Sequence, residues 1–372
     1  WELLLELLPT LYPEPPVGTR VHTKSHAFGA AVHFAYEVLK ELGGKVIAFT
    51  CGRPTVGKGL LMPRDDRNSL GSSEETKLRC PSLKGSGYTE LGDACADHHV
   101  SMDFVLMSPD TTDLFTSSEV PRQTCGRVYN WPGFKPAWDG ATLHNLIMRM
   151  VTRQTGWEGV GRIRCSEGLV AKRHYGNIGK LRHGSDVRFP VLDSDTAFAV
   201  EFDYDGQLDA RAYIQFAYLY TTSYGQRRIR VSTVAAGVTT VTGTLFRSAD
   251  CEALVGFACR QACRDLPTTR ISVIRDRLTM TCVDILAAYR KHCTSNPASG
   301  MVAFLPVSAC LTLTSVLCFP LRLPRVGHTH PRRRCAARGA RACRRAAHLW
   351  YILTAPAARL SEILYVIVCI LV

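Results

Sequence analysis

The stretch "CGRPTVGKG", residues 51–59, carries the spacing Gly52-x-x-x-x-Gly57-Lys58 directly after the apolar run Val46-Ile47-Ala48-Phe49. Phosphate-binding loops have this form. Their backbone N–H groups cradle the phosphates, the Lys offsets charge, and a following Ser or Thr holds Mg²⁺ where a helix begins. Here the Mg²⁺ position is Gly59, and Pro63 falls where the first helical turn should already be hydrogen-bonded. Both departures favour a Gly/Pro-rich loop after a strand over a P-loop nucleotide-binding enzyme, which stays as the alternative.

Metal and nucleophile patterns are weaker still. Cys259 and Cys263 stand at helical spacing with only the distant His292 to join them, and none of the 15 Cys forms a CxxC pair. His22, His26, His33, His98 and His99 have no nucleophile at a diagnostic spacing, so neither catalysis nor a bound metal is expected. Cys51, Cys165, Cys259 and Cys282 sit among apolar neighbours and read as reduced thiols used as small hydrophobes. With no basic, apolar leader at Trp1-Glu2-Leu3-Leu4, a cytosolic compartment is expected.

Two sets of Arg carry binding chemistry. Arg162 and Arg164 flank Ile163, so a strand places both guanidinium forks on one face, where they suit bidentate recognition of carboxylates. Arg227, Arg228 and Arg230 follow the turn Ser223-Tyr224-Gly225, either as an exposed hairpin face or turned toward anionic headgroups. The formal charge of +13 exaggerates how basic the body is. Residues 301–372 hold ten Arg, no Lys and one acid, Glu362, leaving 35 Lys+Arg against 31 Asp+Glu elsewhere. That near-neutral body argues against nucleic acid as a partner.

The elements that must position these residues fall into zones. His26–Leu42 has helical apolar spacing and stops at Gly43-Gly44, Lys45–Thr50 reads as a buried strand, and Tyr88–His99 then Val100–Met107 repeat the helix-strand order. Thr112–Gln123 leads to a third strand at Arg127–Trp131. Ala141–Thr155 reads as a closing helix with Leu143, Leu146, Ile147, Met150 and Val151 on one face. Strands alternating with helices imply a mostly parallel sheet. After Gly156 the texture changes to extended segments at Gly161–Ala171, Thr196–Tyr204, Arg211–Thr222 and Gln226–Thr233, an antiparallel β-sandwich or barrel. Helical spacing returns at Thr242, with helices expected over Leu245–Cys263 and Ile271–Cys293.

Met301–Leu321 is uncharged, Arg322–His348 is Arg-rich, and the chain ends on the apolar run Ile363–Val372. The pattern suggests a two-span membrane hairpin. Pro306 and Pro320 interrupt the first stretch, however, and Glu362 shortens the second to about ten residues, too few to span a bilayer. The favoured reading is a disordered or non-native extension.

Three ordered blocks resemble the cargo-adaptor subunit of the inner COPII coat. Gly43–Phe49, Arg64-Asp65-Asp66-Arg67 and Val100–Leu106 resemble its trunk; Gly161–Ser166, Leu219–Ser223 and Gln226–Val231 resemble its β-sandwich; Leu245–Asp250 and Asp284–Lys291 resemble the start of its helical domain. The paired GTPase-activating subunit shares this order and is the near alternative. The "RDDR" and "QRRIRV" stretches lean toward the adaptor, in its animal-type, SNARE-selecting subclass.

The resemblance implies a multidomain α/β, all-β and α chain. Its parts are a partial von Willebrand factor A-like trunk over 1–155, an antiparallel β-sandwich over 156–241, the beginning of a helical domain over 242–300, and an unmatched tail over 301–372. It also implies a non-enzymatic adaptor that pairs with the other inner-coat subunit, binds cargo and SNARE sorting-signal peptides, and contacts the coat's small GTPase indirectly. Such an adaptor sits peripherally on the anionic ER membrane at exit sites and on vesicles. No cofactor is expected, the family's zinc ribbon lying outside this sequence. In this family an acidic-signal pocket lies on the strand carrying Arg162 and Arg164 and on the strand at Leu219; a concave basic surface, here Arg227, Arg228 and Arg230, faces the membrane.

Overall fold

A computed structural model of the chain describes residues 26–64, 87–109, 112–179, 186–293, 352–354 and 367–371. The stretches at His22, Asp65-Asp66-Arg67 and Met301–Leu321 lie outside them, as does most of the tail.

The trunk opens with α1 (Phe28–Leu39), which buries Phe28, Val32 and His33 and ends where Gly43 adopts φ 69° and donates its N–H to the Leu39 carbonyl. That left-handed position favours Gly and closes the helix. β1 (Gly44–Thr50) follows, then α2 (Tyr88–Asp97), β2 (Val100–Leu106), the short α3 (Leu114–Ser117) and α4 (Glu119–Gln123), and β3 (Val128–Asn130). The three strands form a parallel sheet in the order β1-β2-β3. Central β2 is buried at every residue, whereas β1, expected to be buried, is an edge strand with Phe49 44% exposed. Among the described residues β1 is paired only on its β2 side, and that is the physical reason for the difference.

α5 (Pro136–Thr152) starts five residues before the expected closing helix, because Pro136 occupies the first turn, where its missing N–H costs nothing. Of the expected face, Met150 is buried and Leu143, Leu146 and Ile147 are half-buried, while Val151 is exposed.

The second unit is an antiparallel sandwich. It comprises β4 (Thr155–Cys165), β5 (Leu169–Tyr175), β6 (Asp186–Asp193), β7 (Ala197–Tyr204), β8 (Arg211–Thr222) and β9 (Arg227–Thr239). The segment expected as one strand over Gly161–Ala171 is two, separated where Gly168 takes φ 87°, and β6 was not anticipated. Short strands β10 (Ile352–Thr354) and β11 (Ile367–Leu371) extend the sheets, giving the orders β10-β9-β8-β4-β6 and β11-β7-β5. These parts of the expected disordered tail are ordered strands.

Between the sheets Phe189, Phe198 and Phe216 pack in tilted and edge-on pairs with centroids 5.3–6.4 Å apart, among Ile163, Val187, Val200 and Ile214. β4 makes room for these rings with glycine. A Cβ on Gly161 would lie 2.7 Å from the Phe216 ring, and one on Gly156 the same distance from Tyr220.

The helical unit comprises α6 (Thr242–Ser248), α7 (Cys251–Asp265) and α8 (Ile271–Cys293), so the helix expected over Leu245–Cys263 is broken at Ala249-Asp250. Its core is thin, centred on Ala262, Ile274 and Cys282, and Phe257 anchors it to the sandwich against Tyr175 and Ala199. No helix among the described residues is long and apolar enough to cross a membrane.

Candidate functional site

The loop at 51–59 does not form a phosphate cradle. Residues 51–64 contain no helix, and Gly57 and Gly59 adopt φ 78° and 77° as the chain folds back on the start of α1. Thr55 N–H donates to the His26 carbonyl at 2.8 Å, and a Cβ on Gly29 would overlap the Lys58 carbonyl and the Gly59 backbone. The glycines therefore serve close packing of a loop on a helix, and the trunk uses the stretch structurally.

Among the described residues the thiols and histidines do not assemble into a centre. Among the described residues no group of three or more His, Cys, Asp or Glu is placed to hold a metal, and Cys259, Cys263 and His292 do not converge. Burial pushes the Cys95 thiol up to about 12 and the Cys165 thiol up to about 11, which keeps both protonated and unreactive at neutral pH.

On β4 the alternation holds: Ile163 is buried, and Arg162 and Arg164 are exposed on the opposite face. The ladders fix what lies beside them. Arg162 is level with Ala217 on β8, Arg164 with Gln215, and Val160 with Leu219, so Leu219 is the diagonal neighbour of Arg162 on the same face. Leu219 is half-buried and continues across β9 into Ile229, 71% exposed, with exposed Val231 one pair further along. The result is an apolar strip, Val160-Leu219-Ile229-Val231, flanked by the two Arg.

The expected pocket residues therefore share one face. One feature differs from the simple expectation of two open forks. Arg162 lies directly across the β4–β6 ladder from Asp186, and its Nε and Nη2 donate to that carboxylate at 2.5 and 2.7 Å. Arg164 makes no ion pair with a described residue. Asp186 escaped the sequence reading because β6 itself did. The signal was there in "DVRFPVLD", an extended apolar run whose first residue falls opposite Arg162 once the strand is paired.

The second basic set does not form one surface. Arg227 is level with Thr221 on the Arg162 face and reaches Glu158 at 3.3 Å; Arg228 and Arg230 are level with Tyr220 and Tyr218 on the other face. A period of two forces the split, since 227 differs from 228 and 230 in parity.

Residues 2–151 match the Sec23/Sec24 trunk domain, 156–239 the Sec23/Sec24 beta-sandwich domain, and 250–326 the Sec23/Sec24 helical domain. The chain belongs to the Sec23/Sec24 family. Its helical-domain match runs past Gly300, where the unmatched tail was expected to begin, to residue 326. Among relatives, it is 33% identical to the protein transport protein SEC24 B of Arabidopsis thaliana over 307 residues, covering 81% of this chain and 27% of that protein. It is 31% identical to human Sec24A over 306 residues, again 81% of this chain and 27% of that protein. The crystal structure of the human COPII-coat protein Sec24c superposes with a TM-score of 0.71 at 30% identity, over 79% of this chain and 39% of that one. The chain thus spans about a quarter of the length of the curated relatives it matches.

Proposed function

We propose that the chain acts as a COPII coat component in ER-to-Golgi transport, as a cargo adaptor that binds sorting signals of membrane proteins. The observation that carries this is the run of three Sec23/Sec24 domains in order, with relatives named as SEC24 transport proteins. In this reading the chain pairs with the GTPase-activating subunit of the inner coat, meets the coat's small GTPase through that partner, and works from the cytoplasm on anionic ER membranes at exit sites. It needs neither catalysis nor a cofactor.

Cargo recognition is assigned to Arg162, Arg164 and Leu219. A signal carboxylate takes the Arg164 fork and competes with the Asp186 carboxylate for that of half-exposed Arg162. Leu219 and the strip beyond it receive the apolar residues of the signal.

The test is titration of a labelled acidic sorting-signal peptide into the full chain. Losing one charged hydrogen bond costs about 1.5–3 kcal/mol, so Arg162→Ala with Arg164→Ala should abolish micromolar binding while leaving the melting temperature intact. Leu219→Trp should block the floor without changing charge. Undiminished binding in both variants would remove the assignment.

A further inference from the structure

A β-sandwich is open at the outer strands of its sheets, and three of these edges carry their own protection among the described residues. β5 is bulged between Ala171 and Arg173, with Lys172 and Arg173 exposed along it. β6 contains Pro190, which has no N–H to offer a neighbour. The free length of β9 carries Arg227, Arg228 and Arg230, all exposed. Charge, proline and bulges are the devices that keep an edge from pairing with another chain.

β7 has none of them on its outer side. Phe198, Ala199 and Val200 in its middle are completely buried. Glu201, the acid of this stretch, is 5% exposed and accepts from the Tyr175 hydroxyl at 2.5 Å, so its charge does not guard the edge.

That edge is sealed by β11. Ile367 to Leu371 pair antiparallel with Glu201 to Ala197 without a shift of register, and Cys369 stands opposite Ala199. The sealing strand is uncharged and lies beyond residue 326, where the Sec23/Sec24 helical-domain match ends, so the chain closes this edge with a segment outside the matched domains. Between α8, which ends at Cys293, and β11 run roughly 70 residues, a contour of at most about 230 Å. A strand on so long a connection reaches the same ladder in its own chain or in a second copy, and exchange of an identical element between copies costs little.

We infer that Ile367–Leu371 is an exchangeable strand: it plugs the β7 edge of its own sandwich, and at higher concentration it fills the same edge of a second copy, giving a strand-swapped dimer.

The test uses full chains. Ala199→Cys places a thiol opposite Cys369, and oxidation with copper phenanthroline followed by peptide mass spectrometry should find position 199 linked to 369. For exchange, an isotopically light chain carrying Ala199→Cys and Cys369→Ser is mixed with heavy wild type. A light–heavy link from 199 to 369 should appear and rise with concentration. It should fall at least roughly tenfold when the heavy chain carries Ile367→Pro with Val368→Pro, since consecutive strand residues point their N–H groups to opposite sides and one of the two must leave the ladder. Two measurements need no thiol at position 199. Amide exchange should show β7 protected in wild type and faster in the proline pair, and light scattering should show a wild-type dimer at rising concentration that the proline pair lacks. Unchanged β7 protection in the proline pair overturns the plug. A wild type that stays monomeric across the series, or an intrachain link with no light–heavy link, overturns the exchange.

Discussion

Arg153 Nη1 lies 2.8 Å from Asp193 Oδ2, joining the residue after α5 to the β6–β7 turn, with Arg127 Nη2 at 2.8 Å on the other carboxylate oxygen. Arg153 and Asp193 are both nearly buried, their side chains 5% and 8% exposed. Trunk and sandwich are thus locked by a carboxylate shared between two guanidiniums, and the Asp193 carboxylate also accepts from Asp195 N–H and the Thr196 hydroxyl. Removing one partner of a buried pair leaves uncompensated charge. Asp193→Ala should therefore destabilise the chain by about 3 kcal/mol or more, read as a lower urea midpoint.

The aromatic core predicts a steric cost. Gly161→Val places its Cβ 2.7 Å from the Phe216 ring and 3.0 Å from Phe189, both buried. Overpacking of this kind costs about 1–3 kcal/mol, so the variant should unfold at lower urea. Phe216→Ala, which opens a cavity instead, should cost about 3–5 kcal/mol.

Stability should depend on pH through His33. Burial first, then the charge of Lys58, depresses its pKa below 6.5, with Glu37 opposing. Folded His33 therefore holds its proton less tightly than the unfolded chain does. Above pH 6.5 both states are neutral there; below it the unfolded state binds more protons and stability falls. His174, depressed by burial and Arg264, adds a contribution of the same sign. The melting temperature should drop between pH 6.5 and 5, and His33→Gln should flatten that drop; an unchanged slope would refute the assignment.

The outline of the fold was legible wherever burial followed local pattern. "VSMDFVL" reads as a strand and is buried throughout, and the Arg162-Ile163-Arg164 alternation translated directly into faces. β6 went unread although its sequence is mostly apolar, because Pro190 and Arg188 interrupt the run. Arg188 is nonetheless buried, held by Asp97 at 3.1 Å, a partner 91 residues away that no local pattern announces. The Asp186 clamp was hidden for the same reason. The splitting of Arg227 from Arg228 and Arg230 was readable from parity alone; treating the three as one patch obscured it.

The Arg162–Asp186 pair offers the most direct test of the cargo-adaptor account. If Arg162 and Arg164 hold a signal carboxylate, Asp186 competes for the same fork, at 2.5 and 2.7 Å, and must yield when a signal binds. The measurement is the affinity of one acidic sorting-signal peptide for the wild-type chain, Asp186→Asn and Arg162→Ala, by anisotropy at fixed salt. The account predicts tightest binding for Asp186→Asn, then wild type, with Arg162→Ala weakest by roughly tenfold or more. Equal affinities across the three, or weaker binding in Asp186→Asn than in wild type, would contradict it.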